Sequence, residues 1–194
     1  MVSIELLKQL REETGIAMMD CQKALVEANG DIKRAKEILR EKGKESLKDR
    51  SGKSASQGIL SSYVHSNGKV AVLLHLACES DFVARSDEFR QLGHELCLQV
   101  AAAKPLFVKP EDISAEFLDG ETKIYQKQME GSGKPQKIVE QIIEGKLKKY
   151  KQEVSLTSQP WIKDTQKTIN DLIDESRRKL GERIEAIRFV RYEI

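Results

Sequence analysis

Gly58-Ile-Leu-Ser-Ser-Tyr-Val-His-Ser-Asn-Gly-Lys-Val-Ala-Val-Leu-Leu-His-Leu-Ala-Cys78 is the stretch on which the fold turns. Asn67-Gly68 lies between two apolar runs and predicts a β-hairpin, because a type I′ turn needs φ > 0 at both central positions. With that two-residue turn, His65 faces Val70, Tyr63 faces Val72 and Ser61 faces Leu74. One face then holds Ile59, Tyr63, His65, Val70, Val72, Leu74 and Leu76. A one-residue slip would scatter this set, so the register is well specified. At the far end of the chain, Arg183-Ile-Glu-Ala-Ile-Arg-Phe-Val-Arg-Tyr-Glu-Ile194 is rich in β-branched and aromatic residues with alternating charges. It reads as a terminal strand that adds to the hairpin.

Helical patterns fill the interval between them. Asp87 to Ala103 carries Phe89, Leu92, Leu96 and Val100, and Lys104-Pro105 ends it. Ser114 to Glu130 carries Phe117, Ile124 and Met129. Pro135 opens a helix to Tyr150 with Ile138, Ile142 and Leu147. Thr165 to Leu180 carries Ile169, Leu172 and Ile173 and closes at Gly181. A small antiparallel sheet covered by helices is an α+β arrangement.

Upstream, the pattern is helical throughout. Ser3 is an N-cap with Glu5 in the first turn, Ile4, Leu7 and Leu10 form a stripe, and Thr14-Gly15 is a stop. A second helix, Ala17 to Asn29, carries Met18, Cys21, Ala24, Leu25 and Ala28, with Gly30 after it and Asp31 as the next cap. A third carries Ile32, Ala35, Ile38 and Leu39 and is expected to end at Gly43. Helices this short are not stable alone and must pack on one another. The organisation expected is therefore a three-helix module over 1–43, a basic tether over 44–57 and an α+β core over 58–194. From Arg40 to Gln57 six basic residues stand against three acids, without interleaved aromatics. That composition fits a solvated tether better than an RNA contact.

The chain has 194 residues, 33% of them charged, with 33 Lys+Arg against 31 Asp+Glu. A net charge of +2 is small for a dedicated nucleic-acid binder, so no direct nucleic-acid role is expected. No stretch reaches the roughly 18 apolar residues of a membrane span. The first ten residues lack the pattern of a secretory leader, and a cytoplasmic protein is expected. Cys21, Cys78 and Cys97 are odd in number and widely spaced, as expected of reduced thiols in a core.

Catalytic chemistry is not signalled. His94-Glu-Leu-Cys97 places two metal-ligating types one turn apart, but no second pair has finger-like spacing. Gly131-Ser-Gly-Lys134 lacks the upstream Gly of a phosphate loop, and Pro135 stands where Ser or Thr is needed. Neither an enzyme nor a cofactor or metal site is expected, and a binding module is. Two side chains invite that reading. Phe82 lies in Glu79-Ser-Asp-Phe-Val-Ala-Arg85, between the hairpin and the Asp87 helix. It is either folded back under that helix or projects as an aromatic anchor for a partner. Met19 lies about 100° around its helix from Met18, beside polar Gln22 and Lys23. It is either an edge residue or an adaptable thioether at a contact.

Leu10-Arg-Glu-Glu-Thr-Gly-Ile-Ala-Met-Met-Asp-Cys21 resembles the signature of the elongation factor Ts family. Lys23-Ala-Leu25, Asn29-Gly-Asp31, Asp81-Phe-Val-Ala-Arg85, Lys109-Pro-Glu-Asp-Ile113, Gly133-Lys-Pro135, Glu153-Val-Ser-Leu156 and Gln159-Pro160 match in order. The resemblance implies a guanine-nucleotide exchange factor for elongation factor Tu, with a ubiquitin-associated-like N-terminal bundle and a dimerisation-type core. It implies that Asp81, Phe82 and Val83 wedge into the GTPase domain and disturb its Mg²⁺ and phosphate contacts. It also implies partner contacts by Lys8, Arg11, Met18 and Met19, and by His65 of Tyr63-Val-His65. Ile16-Ala17 departs from the family's usual Ala-Gly. The chain also has one core subdomain where longer members carry two, which implies a homodimer and a two-plus-two assembly. A ubiquitin-associated-type adaptor is the competing class, and the Asp81-Phe82 match separates the two.

Overall fold

The structure is a computed structural model describing residues 3–16, 18–49, 55–130 and 135–194. The expected phosphate-loop lookalike at 131–134, Ala17 and part of the tether, 50–54, lie outside the described residues.

Three helices open the chain: α1 (Ile4–Thr14), α2 (Met18–Glu27) and α3 (Ile32–Asp49). Each boundary has a local cause. The Ser3 hydroxyl accepts from the Glu5 N–H at 3.2 Å. Gly15, at φ 67, ends α1 by donating its N–H to the Arg11 carbonyl at 2.7 Å. Asp31 caps α3 by accepting from the Lys33 and Arg34 N–H groups at 2.8 and 3.2 Å. The core of this module is Leu10, Cys21, Ala24, Leu25, Ala28, Ala35, Ile38 and Leu39, with Leu6, Leu7, Ile16 and Ile32 packed against it.

Three expectations change here. Ile4 is exposed and Leu6 takes its place beside the core, because Leu6 and Leu10 are also one turn apart. Met18 is not a core residue; it is 43% exposed at the start of α2. Helix α3 does not stop at Gly43 but continues to Asp49, so 44–49 of the expected tether is helical. A single interior glycine costs a helix only about 1 kcal/mol, and no proline follows to stop it.

Strands β1 (Gln57–Val64) and β2 (Val70–Cys78) form the hairpin, and β5 (Glu185–Glu193) joins β2, giving the sheet order β1-β2-β5. The His65 N–H donates to the Val70 carbonyl at 2.8 Å, so His65 faces Val70 as expected, but this bonded pair closes a four-residue loop and not the two-residue turn expected. The turn itself is not type I′. Only Gly68 has positive φ, at 69°, and its N–H donates to the His65 carbonyl at 2.8 Å. Asn67 instead uses its side chain, accepting from the Lys69 N–H at 2.9 Å. The terminal strand falls where expected: the Ile194 N–H reaches the Lys69 carbonyl at 3.0 Å, which makes β5 antiparallel to β2.

After a short helical turn, α4 (Asp81–Ala84), comes α5 (Asp87–Ala103), with Phe89, Leu92, Leu96 and Val100 buried. Helix α5 lies close on the sheet. A Cβ added to Gly93 would stand 2.1 Å from the Ser61 Oγ on β1, and the Arg191 Nε on β5 donates to the Ala101 carbonyl at 3.2 Å. Helices α6 (Ala115–Met129) and α7 (Gln136–Val154) pair with each other. Ile143 is the one buried residue of these two helices, and the ring of Phe117 packs edge-on against Phe107 and stacks on Tyr150.

The expected helix from Thr165 begins late. Asp164–Thr168 is strand β4, paired antiparallel with β3 (Pro160–Trp161), and α8 runs Ile169–Leu180. Thr168 is the reason. Its hydroxyl accepts from the Asp171 N–H at 3.2 Å while Asp171 accepts from the Thr168 N–H at 2.9 Å. This reciprocal pair is a capping box that starts the helix one residue later.

The chain contacts divide into two compact units that do not follow chain order. The first takes Met1–Gly58, Ala77–Phe89 and Ile173–Glu185, and the second Ile59–Leu76, Arg90–Leu172 and Ala186–Ile194.

Candidate partner-binding site

Phe82 sits on α4, a single helical turn rather than the loop expected, and is 82% exposed. The turn forms because Ser80, in extended backbone, accepts from the Val83 N–H at 3.2 Å and so caps it. Ser86 takes the other side, donating to the Val83 carbonyl at 2.8 Å and capping α5 through the Phe89 N–H at 3.3 Å. Val83 is 4% exposed. It therefore anchors the turn from beneath while Phe82 projects. Asp81 is exposed and pairs with Arg85 one turn on at 3.0 Å. Such an exposed pair contributes little, roughly 0.3–0.5 kcal/mol.

The turn is tied down from a distant part of the chain. The Glu79 and Ser80 N–H groups donate to the Glu182 Oε2 at 3.1 and 3.0 Å, and the Ser80 hydroxyl donates to the Glu182 Oε1 at 2.5 Å. In return the Arg183 N–H donates to the Glu79 Oε1 at 2.7 Å. Beneath, the Cys78 thiol donates to the Ser80 carbonyl at 3.1 Å. Burial, with the Glu182 carboxylate adding to it, pushes that thiol's pKa up and keeps it a donor. Cys21 and Cys97 are also buried and free, and burial pushes the Cys97 thiol up to about 11.

The other expected contact residues lie elsewhere. Lys8 and Arg11 are exposed one turn apart on α1. Met18 and Met19 open α2 at 43% and 62% exposure. Ile16 occupies the departure from the family pattern and packs against the module core. Its carbonyl accepts from the Cys21 thiol at 3.6 Å, which ties the start of α2 to the preceding turn. His65 is exposed at the hairpin end, with its Nδ1 2.8 Å from the Tyr63 hydroxyl, and the Tyr63 ring stands edge-on to His94. Lys8, Arg11, Met18, Met19 and the Asp81–Val83 turn belong to the first compact unit, and His65 to the second. Among the described residues no group of three or more His, Cys, Asp or Glu is arranged to hold a metal ion. No described helix is long and apolar enough to cross a membrane.

The family model for elongation factor Ts matches residues 6–194. This chain belongs to the elongation factor Ts family. Elongation factor Ts of Moorella thermoacetica is 49% identical over 194 residues, covering 100% of this chain and 96% of its own length. That of Thermotoga maritima is 49% identical over 193 residues, with 100% and 96% covered. That of Desulforamulus reducens is 45% identical over 193 residues, with 100% and 89% covered. The chain is thus a translation elongation factor of the Ts family at close to the full length of these relatives. The residues around Phe82 that sequence reasoning did not find are Glu182 and Ser80. Gly181, at φ 71, ends α8 and turns the chain so that Glu182 follows it directly. Nothing in the spacing of Glu182 points to Ser80, 102 positions away.

Proposed function

We propose that this Ts-family chain is the guanine-nucleotide exchange factor for elongation factor Tu. The observation that carries the reading is Phe82, an aromatic side chain 82% exposed on a turn whose backbone is held at both ends. A large apolar ring held out in water has no role in its own fold and is the form of an interface anchor. The factor does no chemistry. It binds the nucleotide-free GTPase better than the nucleotide-bound one, and by linkage GDP weakens the factor by the same ratio that the factor weakens GDP. The Phe82 ring wedges into the GTPase domain and disturbs its Mg²⁺ and phosphate contacts. Lys8, Arg11, Met18 and Met19 hold a second part of that domain, and His65 adds a contact. Asp81 belongs to the polar rim and Val83 carries the turn. Release of fluorescent GDP from elongation factor Tu, chased with excess unlabelled GDP, is expected to accelerate with increasing factor. No acceleration at any factor concentration would refute the proposal.

We also propose that two copies pair through the core, in the cytoplasm, and without membrane or direct nucleic-acid contact. The support is the sheet face opposite α5. Leu60 and Val64 on β1, Leu73 on β2 and Val190 and Tyr192 on β5 are all exposed there. Alternation places Leu60 and Val64 on one face of β1, away from half-buried Ile59, Ser61 and Tyr63. A contiguous apolar sheet face is a typical interaction surface, and a second copy covers it with the same residues about a two-fold axis. Light scattering is expected to give a dimer for the parent and a monomer for Leu73→Asp, with the melting of the monomer unchanged by dilution. A parent that stays monomeric at all accessible concentrations, alone and with elongation factor Tu, overturns the pairing.

A further inference from the structure

We infer that Glu182 is the positioning residue of the exchange turn: its carboxylate, from the segment after α8, holds the backbone that aims Phe82. The inference rests on the reading of Phe82 as the wedge. Three donors converge on this one carboxylate: the Glu79 N–H, the Ser80 N–H and the Ser80 hydroxyl. Consecutive backbone N–H groups meeting one carboxylate oxygen fix the direction of the chain at that point. The third donor sets the rotamer of Ser80, whose oxygen then caps α4 through the Val83 N–H at 3.2 Å. A four-residue helix such as α4, Asp81–Ala84, is far below the length at which a helix holds itself together. Its geometry therefore comes from its ends, and Glu182 supplies one of them.

Three features make the arrangement directional. Gly181 has φ 71, a conformation that favours glycine, and its N–H donates to the Arg177 carbonyl at 2.9 Å, so α8 is closed by Gly181 immediately before Glu182. The Arg183 N–H donates to the Glu79 Oε1 at 2.7 Å, so the two segments hold each other reciprocally. The Arg177 Nε and one terminal nitrogen donate to the Ile184 carbonyl, at 2.8 and 2.5 Å, which pins the chain just beyond Glu182 to α8. Glu182 touches neither GTPase nor nucleotide in this account. It acts through the turn, by removing conformations in which Phe82 points elsewhere, and so lowers the entropic cost of reaching the exchange transition state.

The test separates reach from charge. Glu182→Asp keeps the charge but withdraws the carboxylate by one methylene, out of reach of donors now at 3.0 and 3.1 Å. Glu182→Gln keeps the reach and one acceptor oxygen without the charge. In stimulated release of fluorescent GDP from elongation factor Tu, Glu182→Asp and Glu182→Ala are expected to lower the maximal rate roughly tenfold, the scale of one charge-assisted hydrogen bond. The half-saturating concentration is expected to stay within about twofold, because the α1 and α2 contacts remain. Glu182→Gln is expected to stay within about threefold of the parent. The Glu79 and Ser80 amide proton resonances are expected to move upfield in the Asp and Ala variants alone. Adding Glu182→Asp to Phe82→Ala is expected to cost nothing further, since nothing is left to aim. If Glu182→Asp exchanges at the parent rate while Phe82→Ala is slow, the positioning role is overturned and the wedge stands. If Glu182→Gln falls with Glu182→Ala while Glu182→Asp does not, charge and not position is what matters, and the inference is again overturned. A folded Phe82→Ala that exchanges at the parent rate removes the wedge itself.

Discussion

Phe82→Ala is expected to slow stimulated GDP release from elongation factor Tu about thirtyfold while leaving thermal melting close to that of the parent. The two halves of this expectation have different causes. Melting is spared because Phe82 is 82% exposed, so the folded chain loses little buried apolar area on truncation. Exchange suffers because a buried aromatic anchor typically costs about 2 kcal/mol or more when removed. Felt in the exchange transition state, that loss is about thirtyfold at 1.36 kcal/mol per tenfold. Asp81→Ala is expected to act more weakly, since its salt bridge to Arg85 is solvent-exposed on both sides. The measurements are fluorescent-GDP release at fixed factor concentration and a thermal melt of each variant. A large drop in melting temperature would assign Phe82 to the fold and not to the partner. An unchanged release rate would remove the wedge mechanism from this chain.

Gln99→Ala is expected to produce the opposite pattern, a large loss of stability. Gln99 is 0% exposed in the middle of α5, yet it is polar. Its Nε2 donates to the Gln159 Oε1 and the Pro160 carbonyl, each at 3.1 Å, and its Oε1 accepts from the Ile162 N–H at 2.9 Å. Gln159 in turn donates to the Ala103 and Glu153 carbonyls at 3.3 and 2.7 Å. This network joins α5 to the segment between α7 and β4, where no regular ladder could do so. Truncation leaves the buried Gln159 Oε1, the Pro160 carbonyl and the Ile162 N–H without this partner and opens a cavity. Together these cost about 3 kcal/mol. For a chain of this size the melting temperature is expected to fall by roughly 6–12 °C. Gln99→Leu fills the space but not the hydrogen bonds and is expected to recover less than half of the loss. A melting temperature within about 2 °C of the parent for Gln99→Ala would show that water replaces the side chain without penalty.

Local chemistry alone determined much of this protein. Ser3, Gly15 and Asp31 mark helix ends because capping and left-handed backbone are decided within four residues. The limits of α5, Asp87–Ala103, followed in the same way from Phe89, Leu92, Leu96 and Val100 and from the break at Lys104-Pro105. The hairpin register and the joining of the terminal strand followed from alternation with period two, a property of consecutive residues. The candidate site was legible in part. Phe82 and Met19 stood out because neither fits the period of the element around it, and both are exposed.

The tertiary structure alone decided what no period encodes. Whether Met18 or Leu6 faces the three-helix core depends on how the neighbouring helices cross, because each lies at the margin of its helix's apolar stripe. Residues 164–168 became a strand because Pro160 and Trp161 lie across from them, and the Thr168–Asp171 capping box moved the helix start past Thr165. Val83 reads like its exposed neighbour Phe82 in the sequence, and only the direction of a four-residue turn buries one and projects the other. Glu182 and Gln99 lie furthest from sequence reasoning. Their partners stand 102 and 60 positions away, and a polar side chain gives no local sign of whether it will meet water or the backbone of a distant segment. Hydrogen bonding in the interior is settled by which chain segments the packed core brings together, and that is a property of the whole fold.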